Sequence, residues 1–277
     1  MTAQRRTERG IALALGLILA LGFTLCGAFQ VGGWTTGAAE HSIRTAVPGP
    51  VSEISVDARS NDVTIVAGRG PGVTVDMRAH GAVDAPQVEV SGGRASVRVG
   101  VCGGLAFWNC RSTVVVYVPA GAKVSVEATS GDISASGITA PVSLDTHSGD
   151  VTAIGLPGGA DLSSNSGDID ARDLGGRLHL ESNSGDVDGT TLRGDAVSAH
   201  SGSGDINLDF ATPPDAVDAD TASGDVDVRL PRGPERYSVD TRTNSGDEHI
   251  GVPTDNASRR VVRASTNSGD AVVAYGD

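Results

Sequence analysis

The chain has 277 residues, 39% of them hydrophobic but only 3% aromatic, with 38 glycines and a formal net charge of −13. That acidity excludes a nucleic-acid-binding surface, which needs a basic patch. The apolar residues are mostly Val, Ala, Leu and Ile, which suits closely spaced strands and tight turns better than a helical bundle.

The N-terminus stands apart. Arg5, Arg6 and Arg9 precede a stretch with no charged residue before Glu40. Its apolar part, Ile11 to Phe29, is 19 residues long. At about 1.5 Å rise per residue this matches a hydrocarbon core of about 30 Å. We expect a cytoplasmic N-terminus at 1–10 and a transmembrane anchor at 11–34, oriented by the arginines. A signal peptide cut near "TTGAAE" (35–40) and a lipoprotein modified at Cys26 are the alternatives. The apolar run is long for a signal peptide, and Leu25 stands where a lipoprotein site wants a small residue. All three readings export residues 41–277, so the expected location is the cell membrane, single-pass, with the bulk of the chain outside. Residues 35–50 read as a linker.

Residues 51–118 read as an irregular β region. "ISVDARSNDVTIVAG", "GVTVDMRA", "VEVSGGRASVRVGV" and "STVVVYVPAGAKVSV" alternate apolar and polar residues as half-buried strands do. Cys102 and Cys110 bracket "GGLAFWN". An isolated close pair of cysteines in an exported region is expected to form a disulfide. Leu105, Phe107 and Trp108 concentrate there, either as an exposed contact loop or as cover for an open apolar end.

From residue 119 the chain repeats itself. Ser-Gly-Asp recurs eight times, at Ser130, Ser148, Ser166, Ser184, Ser203, Ser223, Ser245 and Ser268, with steps of 18, 18, 18, 19, 20, 22 and 23 residues. Small or apolar residues stand six and four positions before most of these serines and three and five after them, as in Leu178, Leu180, Val187 and Gly189 around Ser184; Thr241 and Glu248 around Ser245 are exceptions. Period-2 alternation on both sides of a turn predicts strand, corner, strand, and then a Gly/Pro-containing bend. A unit this short cannot fold alone, and eight of them define a repeat architecture. The fold expected for 119–277 is an all-β, single-chain β-solenoid with coils of about 18–23 residues, preceded by the one transmembrane helix. Glu248 and Ala271 interrupt the Ile/Val series in the last two repeats, as a polar capping coil would.

The corner aspartates raise the question of a bound ion. Stacked carboxylates about 5 Å apart repel by roughly 1 kcal/mol per neighbour in water. Backbone and Ser hydrogen bonds are one remedy, with Gly supplying positive φ at the turn. Calcium is the other, and Asp168, Asp170, Asp186, Asp188, Asp225 and Asp227 are its candidate ligands. Asn165, Asn183, Asn244 and Asn267 precede four corners and are placed to form an amide ladder. The nine-residue calcium β-roll signature is absent from the sequence. So are G-x-S-x-G, H-E-x-x-H and the phosphate loop. No base recurs beside the corner serines, and no catalytic residue or organic cofactor is expected.

The run "VVVYVPAGAKVSVEATSGDISASGI" (114–138), followed by the repeated "SGDI" and "SGDV", resembles a large bacterial putative-adhesin family, a domain of unknown function. The resemblance covers roughly residues 51–275 and is strongest from 114 onward. It implies a β-solenoid outside the cell envelope, often behind a membrane anchor, with a structural or adhesin-like role. It also implies a partner: a cell-surface ligand, or an envelope protein if the chain acts in envelope-stress regulation.

Overall fold

The computed structural model describes residues 40–80, 84–100 and 111–276. The run expected to span the membrane, Cys102, Cys110 and the Leu105, Phe107 and Trp108 cluster lie outside the described residues. No helix among the described residues is long and apolar enough to cross a membrane.

The described chain is all-β. Its N-terminal strands are β1 (Glu40–Val47), β2 (Glu53–Arg59), β3 (Asp62–Gly68), β4 (Val73–His80), β5 (Gln87–Ser91), β6 (Arg94–Arg98) and β7 (Arg111–Pro119). The repeats supply β8 (Lys123–Ala128), β9 (Ile133–Ser136), β10 (Val142–Thr146), β11 (Val151–Ile154), β12 (Ala160–Ser164), β13 (Ile169–Arg172), β14 (Gly175–Ser182) and β15 (Val187–Ser201). They continue with β16 (Ile206–Phe210), β17 (Ala216–Thr221), β18 (Val226–Leu230), β19 (Ser238–Thr243), β20 (Glu248–Ile250), β21 (Val261–Thr266) and β22 (Ala271–Tyr275).

Each repeat gives one strand before its Ser-Gly-Asp corner and one after it. The strands before the corner stack in parallel as sheet I: β8, β10, β12, β14, the second part of β15, and β17. Those after it stack as sheet II: β9, β11, β13, the first part of β15, β16 and β18. The coil therefore has two strands. Register sets equivalent residues side by side, so inward side chains form columns. Val124, Val142, Ala160, Leu178 and Val197 make one in sheet I; Ile133, Val151, Ile169, Val187 and Ile206 make one in sheet II. Ile138, Leu156, Leu174, Leu192, Phe210 and Leu230 close the core at the bends, and all are buried. One continuous cluster holds these columns together. Its narrowness explains why branched aliphatic and alanine side chains fill it and aromatics are scarce.

Stacking order departs from chain order at both ends. β2 lies between β6 and β8, and β3 between β7 and β9. β21 lies between β17 and β19, and β22 between β18 and β20. The first and last two-strand coils are thus covered on both sides. Beyond β6 and β7 lie the antiparallel β5 and β4, with β1 paired to β4. Glu40–Val47, within the segment expected as a linker, is this β1 strand.

The C-terminal exchange follows from Glu248. It occupies a position that is Ile or Val in the regular coils, and a carboxylate there is costly to bury. The chain sets β20 at the open end, where all three of its residues are exposed. Glu248 accepts hydrogen bonds from Thr241 Oγ1 at 3.3 Å and from the Thr243 N–H at 3.2 Å. The apolar β22 returns inside and buries Ala271 and Val273. The polar cap is therefore the penultimate coil, while Ala271 belongs to the core.

Tyr237, just before β19, is fully buried, and its hydroxyl has no hydrogen-bond partner among the described residues. Burial pushes its pKa up, and the nearby Glu235 carboxylate adds to this. Tyr237→Phe keeps the ring and removes an unpaired polar atom, so it should leave stability unchanged or raise it by about 1 kcal/mol at neutral pH. With the folded pKa raised, the unfolded chain ionises first. The stability tied to this group is complete below the unfolded value of about 10 and is lost as pH rises toward the folded one. Thermal melts across the alkaline range should show a shallower decline in Tyr237→Phe than in the parent. A melting temperature several degrees lower in the variant at neutral pH would refute the unpaired hydroxyl.

Candidate functional site

The corner is built from backbone and short polar side chains. Each corner Asp carboxylate except that of Asp247, at the end of the stack, accepts the N–H of the corner Asp in the next coil. Asp168 Oδ1 takes the Asp186 N–H at 2.9 Å, Asp186 Oδ1 takes that of Asp205 at 2.8 Å, and Asp205 Oδ1 takes that of Asp225 at 2.8 Å. The ladder begins at Asp62, in the "SND" of residues 60–62, and passes through Asp132 and Asp150 to Asp168. Beyond Asp225 it follows the stacking order rather than the chain order, through Asp270 to Asp247. Every rung places an amide dipole against a carboxylate, which opposes the repulsion between neighbouring charges.

A second ladder lies behind it. The residue two before the corner Ser is a hydroxyl in seven of the eight repeats: Thr146, Ser164, Ser182, Ser201, Thr221, Thr243 and Thr266. Ser182 is fully buried; its Oγ donates to the Gly167 carbonyl of the previous coil and accepts the Gly185 N–H, both at 2.9 Å. Ser164 repeats both bonds with Gly149 and Gly167. The corner glycines answer to the same closeness. A Cβ at Gly167 would collide with the Gly149 carbonyl oxygen and lie 2.9 Å from Asp150 Oδ1. Positive φ is found at only some corners, such as Gly131 at 122°. Contact between coils, more than turn conformation, demands glycine here. The amide ladder forms in pairs: Asn183 Nδ2 donates to Asn165 Oδ1 at 3.3 Å, and Asn244 Nδ2 to Asn267 Oδ1 at 3.0 Å.

The carboxylates considered for calcium are engaged as follows. Asp168, Asp186 and Asp225 each accept a rung amide. Asp170 pairs with Arg172 at 3.2 Å and Asp227 with Arg229 at 2.6 Å. Asp188 accepts Asn207 Nδ2 at 3.0 Å. Among the described residues, no group of three or more His, Cys, Asp or Glu side chains is arranged to hold a metal ion.

The opposite kind of surface lies on the outer face of sheet I. Outward side chains there stand in rows across the coils. Glu53, Lys123, Pro141, Gly159 and Arg177 form one row, and Ser55, Ser125, Ser143, Asp161 and His179 the next. Between the rows runs a groove of about 500 Å³, floored by strand backbone. It shares Arg177 and His179 with a second groove of about 460 Å³ that continues to Val261 and Arg263. Together they cross from β2 to β21, seven strand steps or roughly 34 Å at the usual spacing. Serine, glycine and alanine leave the trough open. Sequence reading found neither this groove nor the buried hydroxyl ladder. The hydroxyl was legible as a Ser or Thr two before each corner Ser, whereas the groove needed the register of distant strands.

The parallel two-strand coils, the columned core and the acidic corner ladder define a two-sided β-solenoid. The Toastrack DUF4097 family matches residues 51–274, and the chain belongs to it. Two solved structures share the fold. A putative adhesin from Parabacteroides distasonis ATCC 8503 is 15% identical with a TM-score of 0.55, covering 85% of this chain and 98% of its own. A putative adhesin from Parabacteroides merdae ATCC 43184 is 11% identical with a TM-score of 0.53, covering 84% and 96%. No curated protein matches the sequence.

The two ladders set a test. Ser182→Ala leaves a buried N–H and a carbonyl without their partner and should lower stability by about 2 kcal/mol. Asp186→Asn, whose amide oxygen can still accept the rung N–H, should lower it less. Millimolar calcium should leave the melting temperature of the parent unchanged. A calcium-dependent rise that Asp186→Asn abolishes would assign the column to an ion instead.

Proposed function

We propose that the protein is a membrane-anchored, extracytoplasmic β-solenoid that binds a surface ligand along the outer face of sheet I and performs no catalysis. The groove carries this reading. The corner motif, the strongest signal in the sequence, holds coil to coil, whereas the outward Lys123, Ser125, Ser143 and Arg177 side chains of the groove make no bond to the fold among the described residues. Its size and open form suit an extended ligand. The apolar run behind the arginines supplies the anchor, and the family resemblance supports an envelope setting.

Two observations support a non-enzymatic role. Ser164 and Ser182, the buried hydroxyls two residues before their corner serines, are committed to backbone partners. The histidines of the sheet I face pair with exposed acids, His179 with Glu181 and His200 with Asp220, on an open surface without a cleft to exclude water.

Full-length protein in detergent should be retained by at least one of peptidoglycan, envelope lipids or envelope glycans. Ser143→Trp, which fills the trough without touching the core, should abolish that retention. Retention that survives both Ser143→Trp and Ser198→Trp would overturn the groove as the binding surface.

A further inference from the structure

We infer that the groove takes a linear acidic glycan, with sugar carboxylates set against Lys123 and Arg177. The inference rests on the proposal that this groove is the binding surface.

Charge is the first argument. The chain carries −13 overall. The groove lining departs from that balance: Lys123, Arg177 and Arg263 stand against Glu53, Asp161 and Asp218. Glu53 is already held by Arg94 at 2.7 Å. Lys123 and Arg177 have no ion-pair partner among the described residues. Both project from the same row; Lys123 stands there between Glu53 and Pro141, and Arg177 between the uncharged Gly159 and Ala196. They are three strand steps apart, roughly 14 Å. Arg263 lies between Asp218 and Asp240 on the adjoining strands and contributes less. Asp57, Glu127, Asp145, Glu181 and Asp220 form an acidic row on the same face. It lies four residues along the strands from the cationic row, roughly 13 Å, beyond the Debye length of about 8 Å at physiological salt.

Shape and hydrogen bonding narrow the class. The wall facing the cations carries Ser55, Ser125, Ser143, Asp161 and His179, small or short groups that can exchange hydrogen bonds with sugar hydroxyls. Backbone groups on the floor are spent on sheet pairing, so a peptide would find no strand edge to extend. The trough has no aromatic platform on which bases would stack, which disfavours single-stranded nucleic acid. It is open along its length, so an acyl chain lying in it would remain wet.

The test is affinity electrophoresis of the full-length protein in detergent through gels containing polygalacturonate. Parallel gels contain the carboxyl-reduced neutral polymer or single-stranded DNA, and flotation with phosphatidylglycerol vesicles runs alongside. Polygalacturonate should retard the parent. Lys123→Gln with Arg177→Gln should weaken this about tenfold, two exposed charge contacts together being worth about 1.4 kcal/mol. Arg172→Gln, on sheet II and outside both grooves, should have no effect. Undiminished retardation of the double variant overturns the charge assignment. Equal retardation by the neutral polymer, lost in Ser143→Trp, does the same while keeping the groove as the site. Retardation that Ser143→Trp leaves intact overturns the groove itself. Equal or stronger binding to DNA or vesicles overturns the choice of a glycan.

Discussion

The contact between one corner and the next governs this fold. Coils stack closely enough that a corner glycine lies against the glycine carbonyl of its neighbour, and no side chain fits between them. That closeness brings each aspartate carboxylate within hydrogen-bonding distance of the next aspartate amide. The acidic residue and the tight turn are therefore two parts of one device. Glycine permits the approach, and aspartate binds the amide that the approach presents. The hydroxyl two before the corner Ser fastens the same rung from the buried side. A repeat made this way needs no bulky core, which fits a composition rich in glycine, valine and alanine.

The same device lets the chain stack its coils out of order. Since every corner presents the same donor and acceptor, the corner alone does not decide which coil follows which. The strands beside it decide. Ala271 and Val273 suit the interior and Glu248 does not, so the coil holding Glu248 goes to the end and the later coil slips inside. Asp270 then receives the Asp247 amide, and the ladder runs on across a break in chain order. At the end of the stack the inward Glu248 has a further consequence. An inward-pointing charge on an edge coil disfavours pairing with another chain, a liability of any open sheet edge.

Much of this was legible in the sequence. The period of the Ser-Gly-Asp serines, and the alternation around them, marked the coils, the corners and residues of the inward columns such as Ile169, Leu178 and Val187. Glu248 announced a polar end. The non-sequential order was not legible, because Ser245 and Ser268 carry equivalent corners and sequence periodicity assumes that neighbours in the chain are neighbours in space. β1 was hidden for a related reason: its partner β4 is distant in sequence, and "HSIRTAVPGP" carries little strand signal alone. The groove was least legible of all. Lys123 and Arg177 are 54 positions apart in the sequence. Only the register through β10 and β12 places them in one row.

Corner and groove divide the work of the surface. Each corner carboxylate except that of Asp247 already accepts one rung amide through Oδ1, so a ligand that drew that oxygen away would compete with the fold. The outward rows of sheet I face no such competition, since the backbone beneath them is already paired and the side chains above are free to vary. A solenoid of this kind can change what it binds by exchanging residues at positions such as 123, 143, 161 and 177 without disturbing any rung of the ladder. Stability then depends on the repeated residues and recognition on those that break the repeat. On the proposed reading, Lys123 and Arg177, which have no cationic counterpart in the neighbouring coils of their row, are the side chains from which specificity would arise.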